Sequence, residues 1–135
     1  MSSPRILVAE DDRFLASLIR QTLEAQGMKV WLASDGGEAA EAADTLVPDL
    51  FILDAKMPVL TGFELLGMLR REPLHADTPV LMLTSVRVEA DVRQAIAEGA
   101  SDYMTKPFRP DQLVRRVRRL LKEAPAAERR RAVML

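Results

Sequence analysis

The chain alternates short apolar runs with longer stretches in which apolar residues recur at helical spacing. The apolar runs have the length of β-strands. The first, third and fourth are continuously apolar, as expected of strands covered by helices on both faces. The pattern predicts five strands, which run from Arg5 to Ala9, from Lys29 to Ala33, from Leu50 to Leu53, from Val80 to Thr84 and, less distinctly, from Asp102 to Thr105.

Each predicted strand is followed by a stretch with the period of an amphipathic α-helix. Glycine or proline follows the first four of these stretches and ends each helix, at Gly27, Pro48, Pro73 and Gly99. In chain order the helical stretches contain Leu15 to Leu23, Ala39 to Ala43, Phe63 to Leu69, Glu89 to Glu98 and Asp111 to Lys122. The sequence thus predicts a βα unit repeated five times.

Such strict alternation predicts an α/β fold with a parallel, doubly wound sheet, because each parallel connection must cross over through a helix. In open sheets of this kind, ligands bind beyond the carboxyl ends of the strands, near a topological switch point. We expect one domain over residues 1–123. Residues 124–135, which include Pro125 and Arg129-Arg130-Arg131, are expected to form a linker or C-terminal tail.

Composition removes several classes of function. The chain has 135 residues, a length that suits one packed domain, and it has no cysteine for disulfide or thiol chemistry. Its formal net charge of -1 gives no electrostatic reason to expect nucleic acid or a membrane as the main ligand. Because no apolar run has the length of a membrane span or a signal-peptide core, we expect a cytoplasmic protein.

The predicted strands end in polar residues. The carboxyl ends of parallel strands meet at one edge of a sheet, so these residues are expected to converge. Converging carboxylates raise one another's pKa unless a cation neutralises them, and Mg²⁺ is the divalent ion that best suits oxygen ligands at such an edge. The residues are Glu10-Asp11-Asp12 after the first strand, Asp54 after the third, Thr84-Ser85 at the end of the fourth and Lys106 after the fifth.

Asp11 and Asp54 are the expected direct ligands, with Lys106 as a fixed cation able to hold a phosphoryl oxygen. Simpler structural roles exist for some of these residues. Asp12 is equally suited to cap the first helix, and Thr84 to be an ordinary β-branched strand residue. No turn requirement explains an acidic side chain directly after the buried run that precedes Asp54, which favours a functional role there.

Four segments of the chain resemble the receiver domains of response regulators, the CheY-like superfamily of two-component signalling systems. Together they cover about Arg5 to Glu123 in the order and spacing of that family. The resemblance implies a flavodoxin-like (βα)5 fold with strand order 2-1-3-4-5. The segments are Ile6 to Asp12, Asp54 to Pro58 followed by Thr61-Gly62, Leu83 to Ser85, and Gly99 to Phe108.

The resemblance implies that Asp54 accepts a phosphoryl group from a sensor histidine kinase or a histidine phosphotransfer protein. The reaction would depend on Mg²⁺. Glu10, Asp11, Asp54 and the backbone carbonyl of Lys56 would hold the metal. The expected role is that of a signalling phosphoacceptor which promotes its own phosphorylation and dephosphorylation, not that of an enzyme.

The resemblance also assigns roles to residues of the last two strands. Thr84 and Lys106 would hold phosphoryl oxygens during transfer to Asp54. Thr84 and Tyr103 would form a conformational switch, in which the aromatic ring turns inward as Thr84 moves. The Lys106-Pro107 peptide bond is expected to be cis, a state that only an X-Pro bond reaches at low cost.

Partners are inferred from the helices. As a hypothesis, the first helix helps to dock the kinase through Arg13, Phe14, Ser17 and Gln21. Phe14 has the alternative of belonging to the core. The arginines of the fifth helix are read as a solvated face or as half of a dimer contact with acidic residues such as Asp102. Such a homodimer would use the fourth helix, the fifth strand and the fifth helix, without direct binding of nucleic acid.

Two other functions compete with this interpretation. A receiver fold that is never phosphorylated would act only through protein contacts. Loss of the acidic pair, of Asp54 or of Lys106 would favour that function, but all of these residues are present. A phosphatase with an aspartate nucleophile also uses Asp and Mg²⁺. Such enzymes carry a second Asp two residues after the first, where this chain has Lys56, and no insertion here is long enough for a substrate cap.

Overall fold

The structure, a computed structural model, describes residues 3–85 and 89–123, apart from the side chain of residue 89. The expected tail at 124–135 lies outside the described residues. Five strands alternate with five helices, as the sequence predicts. The strands are β1 (Arg5–Ala9), β2 (Lys29–Ala33), β3 (Leu50–Asp54), β4 (Val80–Thr84) and β5 (Asp102–Thr105); the helices are α1 (Arg13–Glu24), α2 (Gly36–Leu46), α3 (Gly62–Arg71), α4 (Glu89–Ala97) and α5 (Pro110–Glu123).

All five strands are parallel, in the order β2-β1-β3-β4-β5, which confirms the predicted topology. The order changes direction between β1 and β3, so the switch point lies at their carboxyl ends. There Ala9 pairs with Leu53, and Asp54 pairs with Leu83 of β4. The residues that follow β1 and end β3 are therefore neighbours across the switch point.

The helices cover both faces of the sheet and form two separate cores. One core joins α1 and α5 to one face, through residues such as Ile19, Leu23 and Val117. The other joins α2, α3 and α4 to the opposite face, through residues such as Ala43 and Leu66. None of the helices within 3–85 and 89–123 combines the length and the apolar character needed to cross a membrane.

The helix ends follow the signals in the sequence. Asp12 caps α1, since its side chain accepts hydrogen bonds from the backbone N–H groups of Phe14 and Leu15. Thr61 and Glu64 form a reciprocal capping box at the start of α3. The fourth helix ends at Ala97, one residue before the predicted end, because Gly99 with φ +99 already turns the chain.

The loop between β3 and α3 contains a sharp turn. The backbone N–H of Leu60 donates to the carbonyl of Pro58 at 2.8 Å, with Val59 between them at φ 71. Positive φ is costly for a β-branched residue, and a γ-turn of this sign is a rare, strained conformation. Val59 is 81% exposed, so its own burial does not offset that cost.

Gly62 lets the first turn of α3 lie against the end of β3. Its backbone N–H donates to the carbonyl of Ala55 at 3.1 Å. A Cβ at this position would overlap the backbone carbonyl of Asp54 and lie 2.8 Å from its carbon. Because the obstacle is backbone, no side-chain rotation relieves the overlap, and a larger residue would push α3 away from Asp54.

We expect Gly62→Ala to destabilise the protein by about 1–3 kcal/mol, the usual cost of forcing extra volume into a packed site. The matched control is Gly67→Ala in the same helix, where the new methyl meets the mobile end of Glu98 at 3.1 Å. That change should be neutral or slightly stabilising, since alanine favours a helix over glycine by about 1 kcal/mol. Urea unfolding of both variants measures the difference, and equal stability of the two would contradict the packing argument.

Candidate functional site

Three carboxylates meet at the carboxyl edge of the sheet. Glu10 follows β1, Asp11 comes next, and Asp54 ends β3. One oxygen of each lies within 4.8 Å of the others. Glu10 and Asp54 are buried, whereas Asp11 is exposed to solvent. The cluster thus has two buried members and one open side.

Backbone contacts fix Glu10 in this position. Its N–H continues the ladder between β1 and β2 by donating to the carbonyl of Ala33 at 3.1 Å. Its side-chain Oε2 accepts a hydrogen bond from the N–H of Asp12 at 3.2 Å, and its backbone carbonyl accepts one from Nη2 of Arg13 at 2.6 Å. The start of α1 therefore holds both the backbone and the carboxylate of Glu10.

Lys106 binds the two buried carboxylates from across the edge. Its Nζ lies 2.7 Å from Oε1 of Glu10 and 3.3 Å from Oδ1 of Asp54. The backbone N–H of Lys106 donates to the carbonyl of Thr84 at 2.7 Å, which ties this residue to the end of β4. The expectation that Lys106 faces the carboxylates is confirmed.

Burial dominates the electrostatics of the cluster. It raises the pKa of Glu10 to about 7, although the hydrogen bond from Lys106 opposes the rise. Burial likewise raises the pKa of Asp54, against the charge of Lys106. For Lys106, burial alone would lower the pKa, but the hydrogen bond that it donates to Glu10 and the charge of Asp54 outweigh burial and raise the pKa. One lysine therefore does not neutralise the buried carboxylates fully.

The donor atoms suit a hard divalent cation. Carboxylate oxygens are the ligands that Mg²⁺ prefers, and the spacing within 4.8 Å allows all three residues to reach one ion. The raised pKa of Glu10 is what burial of a carboxylate with too little positive charge produces. The backbone of Lys56 is also close, since its N–H lies 3.4 Å from Oδ1 of Asp54. That its carbonyl is a ligand stays a prediction.

The two expected switch residues lie on adjacent strands. Thr84 is buried at the end of β4 and pairs in register with Thr105. Tyr103 lies earlier on β5 and is exposed, with 36% of its surface open to solvent. The Lys106-Pro107 bond is cis, as the resemblance implies. The switch itself stays a prediction.

An apolar groove of about 660 Å³ lies beside the cluster, between α1 and the segment after β5. Phe14 is 92% exposed there, so the alternative that it belongs to the core is wrong. Leu18, which lies one turn further along α1, is 42% exposed. The opposite wall is formed by Pro107 and Phe108, whose part in a groove the sequence analysis missed.

Two polar groups outside the cluster have structural partners within the chain. His75 is fully buried in the turn after α3, with Nε2 2.8 Å from Oδ1 of Asp44 and its ring edge-on to Phe51. This position, near the amino end of β3, is remote from Asp54. Asp102 forms ion pairs with Arg116, at 3.1 Å, and with Arg119. These two arginines of α5 thus pair within one chain.

Comparison with known proteins agrees with the geometry. The family model described as the response regulator receiver domain matches residues 6–118. The chain belongs to the response regulator receiver domain family. Its five-stranded order and its convergent acidic residues are therefore features of a signalling domain.

Individual relatives are similar over nearly all of this receiver domain. The DNA-binding dual master transcriptional regulator RpaA of Synechocystis is 42% identical over 119 residues, which are 88% of this chain and 49% of that protein. The receiver domain of Francisella response regulator 1452 has a TM-score of 0.83 and 36% identity, covering 89% of this chain and 98% of that one. The chain thus spans about half the length of the curated relatives it matches.

A third neighbour is the receiver domain of the sensor histidine kinase PA1611 from Pseudomonas aeruginosa. It is 27% identical, with a TM-score of 0.84, and the match covers 90% of this chain and all of that one. Its structure has a magnesium ion coordinated in the active site cleft. The same fold therefore occurs in a receiver domain of a sensor histidine kinase as well as in response regulators.

We expect the metal-free receiver to lose stability as pH rises from about 4.5 to about 7. Over this range folded Glu10 keeps its proton, because its pKa is about 7, whereas the unfolded carboxyl, with its ordinary pKa of 4.5, has lost it. The free energy of unfolding therefore falls as pH rises, and the raised pKa of Asp54 acts in the same direction.

Thermal unfolding in a chelator between pH 5 and pH 8 measures this slope. Glu10→Gln should flatten it, whereas the control Glu24→Gln, at an exposed ion pair with Arg20, should not. Mg²⁺ should raise the unfolding temperature of the wild-type protein more at pH 8 than at pH 5, because binding needs the ionised carboxylate. Equal slopes for wild type and Glu10→Gln would mean that Glu10 does not titrate as described.

Proposed function

We propose that Asp54 is the phosphoacceptor of this receiver domain and takes its phosphoryl group from a sensor histidine kinase or a histidine phosphotransfer protein. The observation that carries the proposal is the position of Asp54. It ends the central strand β3 within 4.8 Å of two further carboxylate oxygens and 3.3 Å from the ammonium of Lys106. A nucleophile beside a fixed cation is the arrangement that phosphoryl transfer requires.

The proposed cofactor is Mg²⁺, held by Glu10, Asp11, Asp54 and the backbone carbonyl of Lys56. Support comes from the three convergent oxygen donors and from the magnesium site of the PA1611 receiver domain. When bound, the ion supplies charge neutralisation to the phosphoryl oxygens. Asp11, the exposed member of the cluster, leaves the site open on the side from which a donor approaches.

In the proposed reaction a carboxylate oxygen of Asp54 attacks the phosphorus of a phosphohistidine. The new O–P bond forms as the P–N bond breaks, and the electron pair of that bond leaves with the imidazole nitrogen, which takes up a proton. Lys106 donates a hydrogen bond to one phosphoryl oxygen and Thr84 to another. These residues position the group and stabilise its charge, so the domain promotes its own phosphorylation and, with water as the attacking group, its dephosphorylation.

Phosphorylation adds about -1.5 to -2 charge at the end of β3, which can shift a two-state element. We place that element at Thr84 and Tyr103, on adjacent strands. The surface that responds is formed by α4, β5 and α5, and a homodimer through it would break or exchange the pairs of Asp102 with Arg116 and Arg119. Because these arginines have carboxylate partners, this domain is not expected to bind DNA itself. Its expected location is the cytoplasm.

The phosphorylation test is the intact mass of the protein after incubation with acetyl phosphate, with and without Mg²⁺. We expect one phosphoryl adduct that requires Mg²⁺ and is absent in Asp54→Ala. Lys106→Gln should slow its formation by on the order of 100-fold, the typical cost of losing one donor to a developing charge. A control variant, Lys29→Gln at the exposed first residue of β2, should react like wild type.

An adduct that survives Asp54→Ala would place the acceptor elsewhere. No adduct under any condition would favour the function through protein contacts alone. Steady turnover of acetyl phosphate by Asp54→Ala would indicate a phosphatase that does not use Asp54 as its nucleophile.

The apolar groove is the proposed docking surface for the kinase or phosphotransfer protein. Phe14, Ser17 and Lys106 all line the groove, so a partner bound there would lie next to the carboxylate cluster. We expect Phe14→Ala with Ser17→Ala to lower kcat/KM for transfer from such a protein by about 10-fold or more, as loss of an aromatic anchor does. Phosphorylation by acetyl phosphate should be unchanged.

A matched control is Ile96→Ala, another exposed apolar residue, which lies on α4 away from the groove. It should leave transfer from the protein donor intact. If the double variant receives phosphate from that donor at the wild-type rate, docking must use another surface.

A further inference from the structure

Arg13, the first residue of α1, folds back over the end of β1. Its Nη2 donates a hydrogen bond of 2.6 Å to the backbone carbonyl of Glu10. Asp12 caps the helix directly before it, so the backbone that carries Arg13 is fixed at the rim of the carboxylate cluster. The residue is exposed, and this one contact leaves most of the guanidinium donors available.

The cluster presents an electrostatic problem to a phosphodonor. Donors of phosphoryl groups are anions, and three carboxylates repel them. Lys106 is occupied by Glu10 at 2.7 Å and by Asp54 at 3.3 Å, and Asp11 is open to solvent. Arg13 brings a second, permanently charged cation to this rim, two residues after Asp11.

We propose that Arg13 tunes ligand binding at the carboxylate cluster through its positive charge. Its guanidinium draws the anionic phosphodonor to the cluster and, by the same positive charge, weakens the binding of Mg²⁺ there. This inference rests on the proposed function, because it presumes that the cluster binds Mg²⁺ and that Asp54 takes up phosphate. It adds a donor-positioning role, which the hydrogen bond from Arg13 to the carbonyl of Glu10 supports.

This charge effect differs from a purely structural role in the directions in which Mg²⁺ binding and donor use change. If Arg13 only held Glu10 in place, its removal would weaken Mg²⁺ binding and donor use together. A charge effect moves them in opposite directions. For charges about 8 Å apart in water, loss of one unit charge changes the binding of a singly charged ion about twofold and of a doubly charged ion about sixfold.

The experiment compares wild type with Arg13→Gln, Arg13→Lys and the control Arg20→Gln. Arg20 lies on the same helix but pairs with Glu24 at 3.3 Å. Mg²⁺ affinity is measured by calorimetry on the unphosphorylated protein. Phosphorylation is followed by intact mass, at saturating Mg²⁺ and low salt, with acetyl phosphate and with the less highly charged phosphoramidate.

We expect Arg13→Gln to bind Mg²⁺ about two- to sixfold more tightly and to show a KM for acetyl phosphate about two- to sixfold higher, with the maximal rate unchanged. The KM for phosphoramidate should rise less. Added salt should shrink these differences, and Arg13→Lys should restore both wild-type values, because it keeps the charge. Arg20→Gln should match wild type throughout.

Weaker Mg²⁺ binding in Arg13→Gln, or a KM equal to that of Arg20→Gln for both donors, would contradict the proposed charge effect of Arg13. Failure of the wild-type protein to accept phosphate from either donor would instead remove the proposed function. The calorimetric comparison does not need phosphorylation, so it still decides whether the charge of Arg13 opposes the metal.

Discussion

The structure depends on two carboxylates kept out of water at the carboxyl ends of β1 and β3. Within the part of the chain that the structure describes, Glu10 and Asp54 share the ammonium of Lys106 as their ion-pair partner, at 2.7 and 3.3 Å. Burying an ionised group without full compensation is costly, and the raised pKa of Glu10 expresses that cost. The domain therefore holds an incompletely neutralised site that a divalent cation can complete.

The rest of the fold brings these groups together. Parallel pairing puts the ends of β1, β3 and β4 at one edge, and Gly62 lets α3 begin directly beside Asp54. The capping of α1 by Asp12 orders the backbone that carries Arg13. Each local feature, whether a cap, a glycine or a strand register, contributes to the positions of charged atoms at that edge.

The parallel βα alternation and most of the cluster could be predicted from the residue pattern, whereas the strand order was implied by the family resemblance. Strand ends are set by apolar runs and helix breakers, and in a parallel sheet those ends share an edge, which brought Glu10, Asp54 and Lys106 together in the prediction. Side-chain directions on α1 could not be predicted in this way. Helical periodicity does not tell whether Phe14 faces a core or a groove, nor that Arg13 turns back to a carbonyl, because both depend on rotamers and on the segment after β5.

The turn at Val59 shows that the shape of a loop and the identity of its residue can be independent. Its positive φ is imposed by the fixed ends of the loop, β3 on one side and the capped start of α3 on the other, while the side chain points mostly into solvent. The geometry next to Asp54 is thus maintained by its neighbours at the expense of Val59. A change of this exposed side chain can therefore alter the surface of the loop while the proposed phosphorylation site keeps its form.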